Sequence, residues 1–258
     1  MSDSILLEVE AGLARITFNR PAYLNAMDFE MGQRWRDVAH EVTSDASVGA
    51  VILDAAGPAF CAGGDVIAMA TSGASGSDVT SAAHTIHDGI RTLVLSEKPI
   101  VAAVQGAVAG GGLGLMLTAD YIVASESSKF VSKYANIGLT PDLGVSTLLP
   151  AAVGQRRALQ LLLQDRGIDA ATALDWGLVS EVVPAAEVAD RARAVAQFWL
   201  DNATAAFGQA KRLVRTGADR TFESNLDDEA ASIGARFGTE EARTRIAAFA
   251  AASTKRSS

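Results

Sequence analysis

The sequence predicts an α/β core of about 190 residues followed by a helical region. Three observations carry this. Residues 50–53 (AVIL) and Ile100–Val104 are short continuous apolar runs bounded by turn residues, as buried strands are. A glycine-containing turn follows each run. Beyond Pro150 the apolar spacing becomes mostly helical.

Along the chain, Leu13–Phe18 alternates, with Ala14, Ile16 and Phe18 on one face. Asn19-Arg20-Pro21 ends that strand, because proline cannot donate to a ladder. From Phe29, the residues Phe29, Trp35, Val38, Ala39 and Val42 fall on one helical stripe with charges between them. Residues 106–114 form a glycine turn that leads into an apolar helical stretch at 113–119, and a further strand at 121–124. Helical patterns then occupy 156–163, 172–176 and 187–200. The division falls at 1–190 for the core and 191–258 for the helical region. Residues 71–81 (TSGASGSDVTS) have no apolar period, so a mobile loop is expected there.

The chain of 258 residues is 49% hydrophobic, enough for a large core. A formal charge of −8 argues against nucleic-acid backbones and anionic lipid surfaces as partners. One cysteine, Cys61, and three histidines, His40, His84 and His87, make neither an internal disulfide nor a metal-ligand spacing. No metal is therefore expected. The acidic N-terminus does not read as a signal peptide, and the longest apolar run is too short and too broken to span a bilayer. A cytoplasmic protein is expected.

Two turns at strand ends could carry chemistry: residues 60–65 (FCAGGD) and residues 106–112 (GAVAGGG). Their glycines let the backbone approach a ligand, and unpaired amides there can bind an oxyanion. The same glycines also serve plain tight turns. Neither a dinucleotide fingerprint nor a P-loop is present, because position 115 is Leu and no lysine follows the glycines.

Asn19-Arg20-Pro21 with Asn25-Ala26-Met27, then 60–65, then Lys98-Pro99 leading into Gly110-Gly111-Gly112 and Ala119-Asp120, resemble the signature blocks of the crotonase (enoyl-CoA hydratase/isomerase) superfamily. The similarity continues through Phe130, residues 138–144 (GLTPDLG) and residues 173–179 (ALDWGLV), and weakens after about residue 200. The resemblance implies a spiral of ββα units, a helical C-terminal region used in assembly as a homo-trimer or dimer of trimers, and an acyl-CoA thioester substrate. Coenzyme A would enter as part of that substrate, with no tightly bound cofactor. It also implies that the amides of Gly64 and Gly111 hold the thioester oxygen as it becomes negative, and that Ala62, Gly64, Asp65, Val66, Ile67 and Gly111 contact the coenzyme A thioester. Lys255 and Arg256 loosely resemble a terminal basic pair that approaches the CoA phosphates, although a solvated tail fits them as well.

The chain departs from the family's hydratases at two positions. Those enzymes carry glutamates where this chain has Gly114 and Tyr134. Neither residue replaces a carboxylate base near neutral pH. A carboxylate appears instead at Asp142, which resembles the aspartate of epoxyphenylacetyl-CoA isomerases and related enoyl-CoA isomerases. Its apolar neighbours Leu139, Pro141, Leu143 and Val145 would raise its pKa and suit it to shuttle a proton. The alternative is that it caps a helix starting near Leu143. Aryl-CoA dehalogenases carry a histidine, a tryptophan and an aspartate at positions 87, 134 and 142, so His87 and Asp142 also resemble that site. The alternative reading of His87 is a polar residue on a helix face shared with His84, Asp88 and Arg91. The expected activity is an acyl-CoA isomerase, with hydration, dehalogenation and a catalytically weak CoA-binding protein as alternatives. Cys61 is expected to pack, and Asp65 and Asp120 to brace loops.

Overall fold

The computed structural model describes residues 3–164 and 166–256, with side chains as far as residue 252. β1 (Ile5–Glu10) and β2 (Leu13–Phe18) open the chain, followed by α1 (Phe29–Ser44) and β3 (Ala50–Ala55). Next come α2 (Val66–Thr71), α3 (Gly76–Leu95), β4 (Ile100–Val104), β5 (Ala107–Ala109), α4 (Gly111–Leu117), β6 (Tyr121–Ser125) and β7 (Lys129–Val131). The remainder is α5 (Val145–Val153), α6 (Gln155–Leu163), β8 (Ile168–Asp169), α7 (Ala170–Trp176), β9 (Glu181–Val183), and then α8 (Val188–Asp201), α9 (Thr204–Gly217), α10 (Phe222–Phe237) and α11 (Glu240–Arg256). Among the described residues the strands form a larger sheet in the order β1-β2-β3-β4-β6-β9 and a smaller one in the order β5-β7-β8. The larger sheet is parallel from β2 onward, as the buried runs of β3 and β4 predict.

The alternation of β2 turns Ala14, Ile16 and Phe18 inward, where Phe18 stacks at 5.7 Å on Trp35 of α1 and at 5.4 Å on Phe60. Each such ring removed from water contributes about 2–3 kcal/mol. On the other face of the sheet, Val188, Ala192, Val195 and Ala196 of α8 cover Ala50, Ile52, Val101, Ala103 and Val123. Strands β3 and β4 are therefore buried on both faces, which is why they read as unbroken apolar runs. The division expected at residue 190 lies within α8.

Residues 71–81 are not a loop. α2 ends at Thr71, a short link follows, and α3 begins at Gly76. Ser75 and Asp78 form a reciprocal capping box that satisfies the first amides of α3 and offsets the poor helix propensity of the glycine and serines. Lys98 explains its place in the sequence blocks: its ammonium bonds the carbonyls of Val42 and Asp45 at the end of α1.

α9 is fastened to the core through Lys211, whose side chain is 3% exposed. Its ammonium donates to the carbonyls of Leu93 and Lys98 and pairs with Asp120 at 3.1 Å. Asp120 also pairs with Arg215 and accepts the Ile100 amide, so it braces the start of β4. In α10 and α11, Phe222, Ile233, Phe237 and Ile246 are largely exposed. Among the described residues no helix is long and apolar enough to cross a membrane.

Candidate active site

The 60–65 turn and the 106–112 turn meet through main-chain bonds. The Cys61 amide donates to the Ala107 carbonyl and the Ala109 amide donates back to the Cys61 carbonyl, a parallel bridge that fixes their register. Gly63 sits at φ +98°, and a Cβ on it would lie 2.8 Å from the Ala109 carbonyl oxygen and 3.4 Å from the Gly111 nitrogen. Only glycine serves there without strain. A second bridge pairs Gly64 with Met27, the Met27 amide bonding the Gly63 carbonyl and the Asp65 amide the Met27 carbonyl. In that pattern the Gly64 N–H is directed away from Met27. Gly111 is the first residue of α4, so helix geometry leaves its N–H without an intrahelical partner. Among the described residues neither amide has an acceptor, and the two turns that carry them touch.

Asp142 lies beside this pair. One carboxylate oxygen, Oδ1, is 3.6 Å from where a Cβ on Gly111 would stand. The Tyr134 hydroxyl donates to the same oxygen at 2.5 Å. Asp142 does not cap a helix: α5 starts at Val145 with Gly144 as its N-cap and no side-chain bond. Burial holds the Asp142 carboxyl above the usual carboxylate range, outweighing the Tyr134 hydrogen bond and the pull of His87, both of which favour the charged form. Of the apolar neighbours, Leu143 and Val145 are buried whereas Leu139 is exposed. Burial, with the nearby Asp142 charge, pushes the Tyr134 phenol well up, so it remains a hydrogen donor.

Position 114 is closed. A Cβ on Gly114 would lie 1.9 Å from the carbonyl oxygen of Leu143 and 2.8 Å from its carbon. Backbone occupies that space, so no side chain can stand there without displacing the Asp142 turn. Leu143 is itself at φ +49° and wedges its side chain against Gly111.

His87, on α3, is half-buried and faces this turn: the Leu143 amide donates to its Nε2 at 3.0 Å. Its ring lies 6.2 Å from that of His84 on the same helix, while the neighbouring Asp88 pairs with His40 and Arg91. Cys61 is fully buried, and burial pushes its thiol up to about 12, so it packs in the turn as an inert residue. Asp65 caps α2 through the Ala68 amide and pairs with Arg20 at 3.1 Å, bracing the 60–65 turn. Ala62 is half-buried, and Val66 and Ile67 are exposed at the start of α2. The side chains of Lys255 and Arg256 lie outside the described residues. Among the described residues no cluster of His, Cys, Asp and Glu has the makings of a metal site.

Sequence reasoning passed over Arg20, Asn25 and Met69. The Arg20 guanidinium bonds the Ala26 carbonyl and reaches Asp28 and Asp65. Buried Asn25, at φ +56°, donates to the carbonyls of Ala56 and Ala59 and so sets the approach to Phe60. Both belong to blocks quoted for resemblance, but their chemistry is bracing and no local pattern announces it. The Met69 side chain covers Gly64, its Cε 2.9 Å from where a Cβ there would stand.

Two unpaired amides on touching turns, with a carboxylate beside them, form an arrangement that can stabilise an oxyanion. A sequence model of the enoyl-CoA hydratase/isomerase family matches residues 8–255, and the chain belongs to that family, within the crotonase superfamily. It is 32% identical over 231 residues to 1,2-epoxyphenylacetyl-CoA isomerase of Escherichia coli K12, covering 89% of this chain and 88% of that one. It is equally 32% identical over 247 residues to 4-chlorobenzoyl coenzyme A dehalogenase-2 of an Arthrobacter species, covering 95% and 90%. The crystal structure of an enoyl-CoA hydratase from Mycobacterium smegmatis superposes with a TM-score of 0.91 at 26% identity, over 96% of each chain. The family acts on CoA thioesters.

Proposed function

We propose that this protein is an acyl-CoA isomerase in which Asp142 moves a proton while the amides of Gly64 and Gly111 hold the enolate. The observation that carries this is the closure of position 114 by the Leu143 backbone, which leaves Asp142 as the carboxylate adjoining the amide pair. In a double-bond shift, the Asp142 carboxylate takes the α-proton of a 3-enoyl thioester. The C–H electron pair forms the C1–C2 double bond while the carbonyl π pair moves onto the oxygen, giving a dienolate that keeps the 3,4 double bond. On reprotonation the oxygen pair re-forms the carbonyl, the C1–C2 pair becomes the 2,3 double bond and the 3,4 pair takes the proton at C4. Return of the same proton to C4 gives the 2-enoyl product, with no water or cofactor consumed. Opening of a strained oxygen ring at the β-carbon starts with an enolate made the same way: its electron pair moves to C2–C3, the β C–O bond breaks, and the ring oxygen takes the proton back from Asp142. Two preset N–H donors favour the charged transition state over the neutral thioester, and removing one such donor typically costs about 100- to 1000-fold in rate. The raised pKa of Asp142 suits both halves of the shuttle, because a base that must give its proton back works best when it is not too acidic.

The expected outcome of Asp142→Asn is a fall in kcat of about 100- to 10,000-fold on the active thioester, with KM little changed. Full activity in that variant overturns the assignment. Screening 3-enoyl, 2-enoyl and 4-halobenzoyl CoA thioesters separates isomerisation from hydration and from halide release, and no turnover of any of them points to a CoA-binding protein. We further propose that the exposed apolar faces of α10 and α11 assemble the chain as a homo-trimer or dimer of trimers, with the coenzyme passing over Ala62, Asp65, Val66 and Ile67.

A further inference from the structure

The Leu143 amide is buried and has one acceptor among the described residues, the Nε2 of His87, contributed by α3 across 56 positions of the chain. Leu143 adjoins Asp142 directly, carries a positive φ, and presses its carbonyl on α4 at Gly114 and its side chain on Gly111. The turn is thus gripped from two sides, by α4 beneath it and by His87 above.

We propose that His87 is a positioning residue: its uncharged imidazole holds the Asp142 turn through the Leu143 amide, and it is not a base that activates water. An imidazole nitrogen that accepts a hydrogen bond carries no proton, so the ring's single proton is on Nδ1 and its basic lone pair is already engaged. Acting as a base at Nε2 would require releasing the amide, which would leave a buried donor unpaired. The groups that bear on the ring are Asp142 from the turn, itself held by Tyr134, and His84 and Arg91 from its own helix. His84 stacks edge-on at 6.2 Å. Burial, aided by His84 and Arg91, keeps the ring's pKa below the ordinary value against the pull of Asp142, which favours the accepting form at neutral pH. Acidification would place a second proton on Nε2, break the bond to Leu143 and loosen the carboxylate.

This inference rests on Asp142 being the base, and the test keeps the two apart. His87→Gln, whose side-chain oxygen can accept the same bond, keeps most of kcat. His87→Ala loses roughly ten- to a hundredfold in kcat with KM nearly unchanged, the scale of a misplacement of about 1 Å. In wild-type protein labelled with ¹⁵N-histidine and ¹⁵N-leucine, above neutral pH, the His87 Nε2 resonance is that of an unprotonated, hydrogen-bonded nitrogen, and the Leu143 amide resonance moves when the ring is protonated. A glutamine variant as impaired as the alanine variant overturns the inference. So does a neutral ring with its proton on Nε2. If no thioester is turned over, the proposed function fails while the NMR result still decides the role of His87.

Discussion

Replacing Gly114 by alanine probes the contact on which the carboxylate's position depends. The new methyl would start 1.9 Å from the Leu143 carbonyl oxygen, against about 3.4 Å for an ordinary contact, so the two backbones must part by about 1.5 Å. The obstacle is main chain on both sides, and no rotamer change relieves it. Overpacking of this kind typically costs about 1–3 kcal/mol. At the upper end, a chain of this size loses about 6–12 °C in Tm. Displacement of the adjoining Asp142 by about 1 Å would lower kcat by about a hundredfold, with a smaller effect on KM. Thermal unfolding followed by circular dichroism measures the first quantity and steady-state turnover of the best thioester the second. A Gly114→Ala protein with wild-type Tm and wild-type kcat would refute the claim that the Asp142 turn fills the glutamate's place. Gly114→Glu is expected to behave worse still and to gain no hydratase activity.

Tyr134→Phe removes the bond that favours the charged form of Asp142, so the pKa of Asp142 rises further and the acid limb of kcat/KM moves to higher pH; an unmoved limb would exclude this role for the hydroxyl. Burial lowers the Lys211 pKa to about 8 from 10.5, so between those values the unfolded chain binds more protons than the folded one, and this group makes stability rise with pH across that window. Urea unfolding of Lys211→Met at several pH values should show less of that rise than wild type, and parallel curves would remove it. Phe237→Asp, on the exposed face of α10, is expected to shift sedimentation velocity toward smaller species without loss of helical content.

The strands and helices of the core were legible wherever one face or both faces are buried, because burial writes its period into the sequence. Ile100–Val104 and the Trp35 stripe are examples. The smaller sheet was not legible: β5, β7 and β8 have three, three and two residues, too few for any period. Residues 71–81 misled because Ser75 and Asp78 work as a cap while the surrounding Gly and Ser suggest a loop. At the site, residue types pointed to the two glycine-containing turns, and only the family resemblance singled out Gly64, Gly111 and Asp142. His87 and Tyr134 stood beside Asp142 only through the resemblance to the dehalogenases; their hydrogen bonds could not be read, since Tyr134 reaches Asp142 across a turn with a left-handed Gly138, and His87 bonds Leu143 from 56 positions away.

The bridge between Cys61 and Val108 has a consequence for how such a protein can diverge. The two amides are brought together by main-chain bonds, and the side chains that brace the 60–65 turn, Arg20, Asn25 and Asp65, are not those at 87, 134 and 142. Substitutions at 87, 134 and 142 could therefore accumulate around the proposed oxyanion receptor while its main-chain frame stays intact. A lineage could pass from one thioester reaction to another without rebuilding the costliest part of its machinery.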